Sequence, residues 1–98
     1  MPYKVSYSPE ATDHLKSLTA RERSIVIDGI DRQLVHQPTV ETRNRKTLRS
    51  NDLAVWELRI GSSRVYYDVV ETAQLVLIRA VGVKRGNRVF IAGKELKL

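Results

Sequence analysis

Residues 53–81 read LAVWELRI, GSS, RVYYDVV, ETAQ, LVLIRAV, and this stretch decides the fold. The runs 53–60, 64–70 and 75–81 are rich in β-branched and aromatic residues at alternate positions, the period of a strand half-buried in a sheet. Their connectors, Gly61-Ser62-Ser63 and Glu71-Thr72-Ala73-Gln74, are short enough for hairpins. Counting by twos puts Ala54, Trp56, Leu58 and Ile60 on one side of the first run, with Glu57 and Arg59 on the other. In the second run Val65, Tyr67 and Val69 oppose Arg64, Tyr66 and Asp68. In the third, Val76, Ile78 and Ala80 oppose Leu75, Leu77, Arg79 and Val81. One face is expected to bury helices. The other collects Glu57, Arg59, Arg64, Tyr66, Asp68 and Arg79, and reads as a charged face too polar for a second core.

Upstream, the pattern changes period. Residues 3–8 alternate and read as a strand. Ser8-Pro9-Glu10 then gives a helix start, with a hydroxyl cap, a proline at the first helical position and an acid in the first turn. Ala11, Leu15 and Leu18 form a short apolar face. Thr19-Ala20-Arg21-Glu22 is a capping box that opens a second helix, whose stripe runs Ile27, Ile30, Leu34 with Val26 beside it. That helix ends before Pro38. Residues 39–52 are polar and basic, with room for a short strand around Lys46–Arg49. Downstream, Gly82–Lys94 carries a basic turn at Gly86-Asn87, which can bring Lys84, Arg85 and Arg88 to the edge of the charged face. The expected product is one α+β domain over residues 1–98, with two N-terminal helices packed on one face of a small, mostly antiparallel twisted sheet.

The charge is lopsided. The chain has 98 residues, 17 Lys+Arg and 11 Asp+Glu, for a net charge of +6. Residues 1–40 are neutral, so the whole excess follows residue 40 and suggests a surface turned toward a polyanion. A composition of 42% hydrophobic and 29% charged residues is that of an ordinary globular domain. Zero cysteines exclude disulfides and thiolate metal sites. No long apolar run offers a membrane span, and Met1–Val5 opens no signal-like stretch, so no membrane partner and a cytoplasmic location are expected.

Chemistry is left to arginines and a few carboxylates. His14 and His36 fall in the neutral helical half and read as structural or exposed, and no metal-ligand cluster, organic-cofactor motif or glycine-rich phosphate loop is present. Metal-free RNA cleavage needs a base for the 2′-hydroxyl, cations for the phosphorane and an acid for the 5′-oxygen. Arg64 and Arg85 are candidate cations, because a guanidinium stays charged and donates bidentately to phosphate. Two readings stand for Glu57: a catalytic base, or a cross-strand partner for Arg59, Arg64 or a lysine. Tyr66 is either a base-stacking residue or a surface strand tyrosine. Trp56 belongs to the core.

Lys46-Thr47-Leu48, Val55-Trp56-Glu57-Leu58-Arg59-Ile60-Gly61, Ser63-Arg64-Val65-Tyr66-Tyr67 and Val81-Gly82-Val83-Lys84-Arg85 with Val89-Phe90 resemble the RelE/ParE superfamily of type II toxins. The resemblance covers nearly the whole chain. It implies a small cytosolic toxin neutralised by a cognate antitoxin protein. RelE-like members cut mRNA in the ribosomal A site, whereas ParE-like members inhibit DNA gyrase without being nucleases. On the RelE-like pattern Arg64 and Arg85 are phosphate-binding catalytic residues, Glu57 and Arg59 stand at basic positions, and Phe90 takes the place of a stacking aromatic, commonly Tyr. Lys46, Arg59, Arg79, Lys84 and Arg88 complete the expected RNA-contacting set, with Glu57 as the possible base. The two departures, Glu57 for a lysine and Phe90 for a tyrosine, preserve phosphate binding better than acid–base chemistry. They also give a third reading beside the nuclease and the gyrase inhibitor: a catalytically degenerate relative that binds antitoxin or RNA.

Overall fold

The computed structural model describes residues 2–98; Met1, the first residue of the N-terminal stretch read above, lies outside the described residues. In chain order the elements are β1 (Lys4–Tyr7), α1 (Pro9–Lys16), α2 (Ala20–Leu34), β2 (Arg45–Thr47), β3 (Trp56–Ile60), β4 (Ser63–Val70), β5 (Leu75–Arg85), β6 (Arg88–Ile91) and β7 (Lys94–Glu95). Strands β2 to β7 follow one another across the sheet, each antiparallel to the next, while β1 pairs in parallel with the first part of β5. Two helices packed on one face of a mostly antiparallel sheet is the expected α+β class.

Both helix starts form as read. Ser8 Oγ accepts from the Ala11 amide at 3.1 Å, with Pro9 at the first helical position. Thr19 Oγ1 accepts from the Glu22 amide at 3.1 Å while Glu22 Oε1 accepts from the Thr19 amide at 3.0 Å. Each cap satisfies amides that a helix start leaves orphaned, worth about 1 kcal/mol. The helices meet at a corner held by Arg23, whose Nε donates to Leu15 O at 2.9 Å and whose Nη2 donates to Leu18 O at 3.1 Å. A guanidinium on the last carbonyls of α1 also complements the negative end of that helix.

The core lies between helices and sheet. Ala11 and Leu15 of α1 and Val26, Ile30 and Leu34 of α2 cover Trp56, Leu58, Val65, Tyr67, Val76, Ile78 and Val81. Burying each large aliphatic here contributes about 1.5–3 kcal/mol. Trp56 and Tyr67 stack with centroids 6.0 Å apart, and the Tyr67 hydroxyl donates to Pro38 O at 2.6 Å, tying the loop after α2 to the sheet. The stripe of α2 differs from expectation: it runs through Val26 at spacings of four, and Ile27 points outward. Gly29 lets α2 approach β3, since a Cβ there would stand 2.6 Å from Ile60 Cδ1.

Three sequence expectations about the sheet need correcting. Residues Tyr66 and Tyr67 pair with Ala80 and Ile78, so Arg79 is an extra residue in β5 and the strand bulges there. The bulge reverses the parity beyond it: Val81 joins the helix-side core, and Ala80 turns to the opposite face. That opposite face is not wholly polar. Ala54, Tyr66 and Ala80 form a small buried cluster flanked by Leu48, Leu53, Val89, Ile91 and Leu96. Ala54 sits in it because it precedes β3, in a loop shaped by Asn51, whose Oδ1 accepts from the Leu53 and Ala54 amides. Finally, the third run extends past Val81 to Arg85 as one strand.

Candidate nucleic-acid interface

The face away from the helices, here the open face, takes its side chains from the register. Lys46 opposes Glu57, Glu57 opposes Tyr66, Arg59 opposes Arg64, and Arg64 opposes Gly82. Lys84 follows on the same face, two residues beyond Gly82. A Cβ on Gly82 would meet Phe90 O at 2.9 Å and the side chains of Ile91 and Val89, which also places Gly82 on this face.

Glu57 is the centre of the cluster. Its carboxylate is 11% exposed and lies 3.6 Å from the ammonium of the more exposed Lys46. Tyr66 is buried beside it. Burial first, then the Glu57 carboxylate, push the Tyr66 hydroxyl above the ordinary phenol range, with Arg64 pulling the other way. The phenol therefore stays protonated and is available as a donor next to the carboxylate. Tyr66 is neither a free stacking platform nor an ordinary surface tyrosine.

Arg64 is 5% exposed and turned back on its own turn, with Nη1 donating to Gly61 O at 2.8 Å and Ser63 O at 2.9 Å. Among the described residues Nε and Nη2 make no hydrogen bond, so one edge of a fixed guanidinium is left for an outside acceptor. Arg59 is exposed directly across from it. Like charges opposed across an antiparallel pair repel, and a bound anion relieves that repulsion. Arg79 lies on the bulge, farther along the face, where it sits 3.9 Å from Asp68. That carboxylate is also held by the Val55 amide at 2.8 Å. Arg79 is thus remote from Arg64 and partly neutralised.

Arg85, Arg88 and Phe90 go elsewhere. Val83 pairs with Phe90 and Arg85 with Arg88, one parity away from Gly82 and Lys84, so these side chains leave the sheet on the helix side. Arg85 and Phe90 line a cavity of about 490 Å³ with Ser17, Leu18, Glu22 and Val83. Arg88 reaches the Glu95 carboxylate at 3.8 Å. Of the candidates named from sequence, the fold therefore joins Lys46, Glu57, Arg59, Arg64 and Lys84, and separates Arg85, Arg88 and Phe90 from them across the sheet. Among the described residues no three His, Cys, Asp or Glu side chains come together as a metal site. No helix among the described residues is long and apolar enough to cross a membrane.

This architecture is similar to a chain of the toxin–antitoxin complex RelBE2 from Mycobacterium tuberculosis, at a TM-score of 0.75 and 25% identity over 86% of this chain and 100% of that one. The fold is that of the RelE/ParE superfamily. A chain of the archaeal RelE–RelB complex from Pyrococcus horikoshii OT3 shares the fold at a TM-score of 0.67 and 23% identity, over 88% of this chain and 98% of that one. No protein-family model matches the sequence, and no curated protein does. Within this frame, sequence reasoning named Tyr66 only as a stacking or surface tyrosine, and it missed Glu22. Tyr66 joins Glu57 because the two are directly opposed, which hairpin register alone could have revealed. Glu22 joins the helix-side cavity through the α1–α2 corner, for which the sequence carries no local sign.

Proposed function

We propose that this chain is the toxin of a type II toxin–antitoxin pair, held by a cognate antitoxin protein, and that its open face cleaves mRNA on the ribosome. The observation that carries the reading is the fixed Arg64 guanidinium opposed to Arg59 on the same face as the largely buried Glu57 carboxylate. Glu57 takes the proton from a 2′-hydroxyl, whose oxygen attacks the adjacent phosphorus. Arg64, through Nε and Nη2, with Arg59 and Lys84 nearby, stabilises the charge that builds on the phosphorane oxygens. Lys46, the ammonium beside Glu57, gives a proton to the departing 5′-oxygen, leaving a 2′,3′-cyclic phosphate. Tyr66 donates toward Glu57 and sets its orientation. The cations of the reaction are supplied by side chains.

Purified protein added to translating ribosomes is expected to cut mRNA within the A-site codon, read by primer extension. Glu57→Gln and Arg64→Lys are expected to lower the rate by about 100-fold or more, from loss of the base and of the aligned donors respectively. Because Arg64 also braces its turn, the lysine variant is checked for native thermal unfolding first. Intact message with folded wild-type protein overturns the reading. If gyrase supercoiling is inhibited in the same preparation, the chain acts as a ParE-like inhibitor instead.

A further inference from the structure

The open face carries the chemistry, yet its two central groups are scarcely open to solvent. Arg64 is 5% exposed, although Nε and Nη2 make no hydrogen bond among the described residues, and the Glu57 side chain is 11% exposed. A guanidinium shielded to that degree has no room for a phosphate oxygen until something beside it moves. We infer that the β6–β7 hairpin is a lid, shut over Arg64 in the free protein, which swings off the sheet to admit an RNA phosphate. This inference deepens the reading of the open face as an RNA-cutting surface and rests on it.

The register identifies the cover. Gly82 stands directly across from Arg64, and a Cβ there would lie 2.9 Å from Ile91 Cγ1 and 3.0 Å from Val89 Cγ1. Both branched side chains of β6 therefore lean into the space beside Arg64 that Gly82 leaves empty. Leu96, just past β7, joins them against the Tyr66 cluster. The hairpin is tied into one piece: Leu96 N donates to Val89 O at 2.7 Å, and Arg88 lies 3.8 Å from Glu95. Its hold on the sheet is short. Strand β6 pairs only with Val83, Lys84 and Arg85, whereas β4 pairs with β5 all the way from Ser63 to Val70. The pivot is the turn at Gly86, whose φ of +63° suits glycine and whose surroundings are open space. Short pairing, few buried apolar groups and a free pivot mark a segment that opens well below the cost of global unfolding.

Phenylglyoxal, which adds to accessible guanidinium groups, reads the lid without any RNA. Mass spectrometry of the full-length protein is expected to show the exposed Arg59 labelled about tenfold or more faster than Arg64 across from it. Leu96→Ala is expected to speed Arg64 about tenfold by loosening the lid. Arg45, buried on the far edge of the sheet with its Nε donating to Val40 O at 3.1 Å, keeps its rate and controls for general unfolding. The chain has no cysteine, so Val83→Cys with Phe90→Cys, at directly opposed positions, forms a single disulfide that ties β6 to β5. Oxidised, that variant is expected to label Arg64 about tenfold more slowly than when reduced, and to cut mRNA in the ribosome assay only after a reductant is added. Equal labelling of Arg64 in the two forms overturns the lid, as does cutting by the oxidised form at the reduced rate. Wild-type Arg64 labelled as fast as Arg59 overturns it too. Labelling that follows the lid, with intact message throughout, refutes only the nuclease reading.

Discussion

His14 shows how one side chain can make a fold sensitive to pH. Its Nδ1 accepts from the Val81 amide at 3.2 Å, on the stretch of β5 between the partners of β1 and those of β6. An imidazolium has no lone pair to accept with, so that bond exists only in the neutral form. Burial lowers the His14 pKa from its ordinary 6.5, against a smaller opposite pull from Asp13 and Glu10. The unfolded chain then takes up the proton more readily than the folded one. The stability that His14 contributes is complete above its unfolded pKa and is lost as pH falls through the lower folded value. Denaturant midpoints of the wild type should therefore fall between about pH 7 and pH 5, and those of His14→Ala should change less over that range. Glu22, with its carboxyl pKa already depressed, titrates below this window.

At the scale of elements, close approach decides more than hydrophobicity. Gly29 costs α2 about 1 kcal/mol of helix propensity, yet it admits Ile60 against the helix backbone. Gly29→Ala should destabilise the protein by about 1 kcal/mol, because overpacking outweighs the propensity gain, and Ile60→Val should restore most of the loss by removing the clashing Cδ1. Thermal or urea unfolding of the two single variants and the double variant closes the cycle. The elements themselves were largely legible: Ser8-Pro9-Glu10, the capping box at Thr19–Glu22 and the alternation in residues 53–81 each carry their own local signal. The pairing of β1 with β5 carries none, because its partners lie about seventy residues apart. The bulge at Arg79 was equally hidden, since nothing in Leu-Ile-Arg-Ala-Val says where the count by twos slips. That slip, together with the continuation of β5 through Val83 to Arg85, sends Arg85 to the helix side. The candidate site was thus readable in its cations and carboxylate, while its division between two faces was not.

For the molecule as a whole, the excess charge sits in the strands and the C-terminal hairpin, and the helices present a neutral back. Binding of single-stranded RNA should weaken with salt, and Arg59→Ala should flatten the plot of log affinity against log salt by about 0.7, the loss of one phosphate contact. Arg32→Ala, on the helical side and already paired with Asp28 at 3.0 Å, should leave that slope unchanged. Strand β5 has a further consequence, one of timing. It is the neighbour of β1, β4 and β6 at once, and it begins about forty residues after the end of α2. During synthesis β1 and both helices leave the exit tunnel with no sheet to receive them. At roughly 5–20 residues per second they wait several seconds for residues 75–85. The face that carries Arg64 cannot be assembled before then, so any shorter nascent fragment has both helices and no completed charged face.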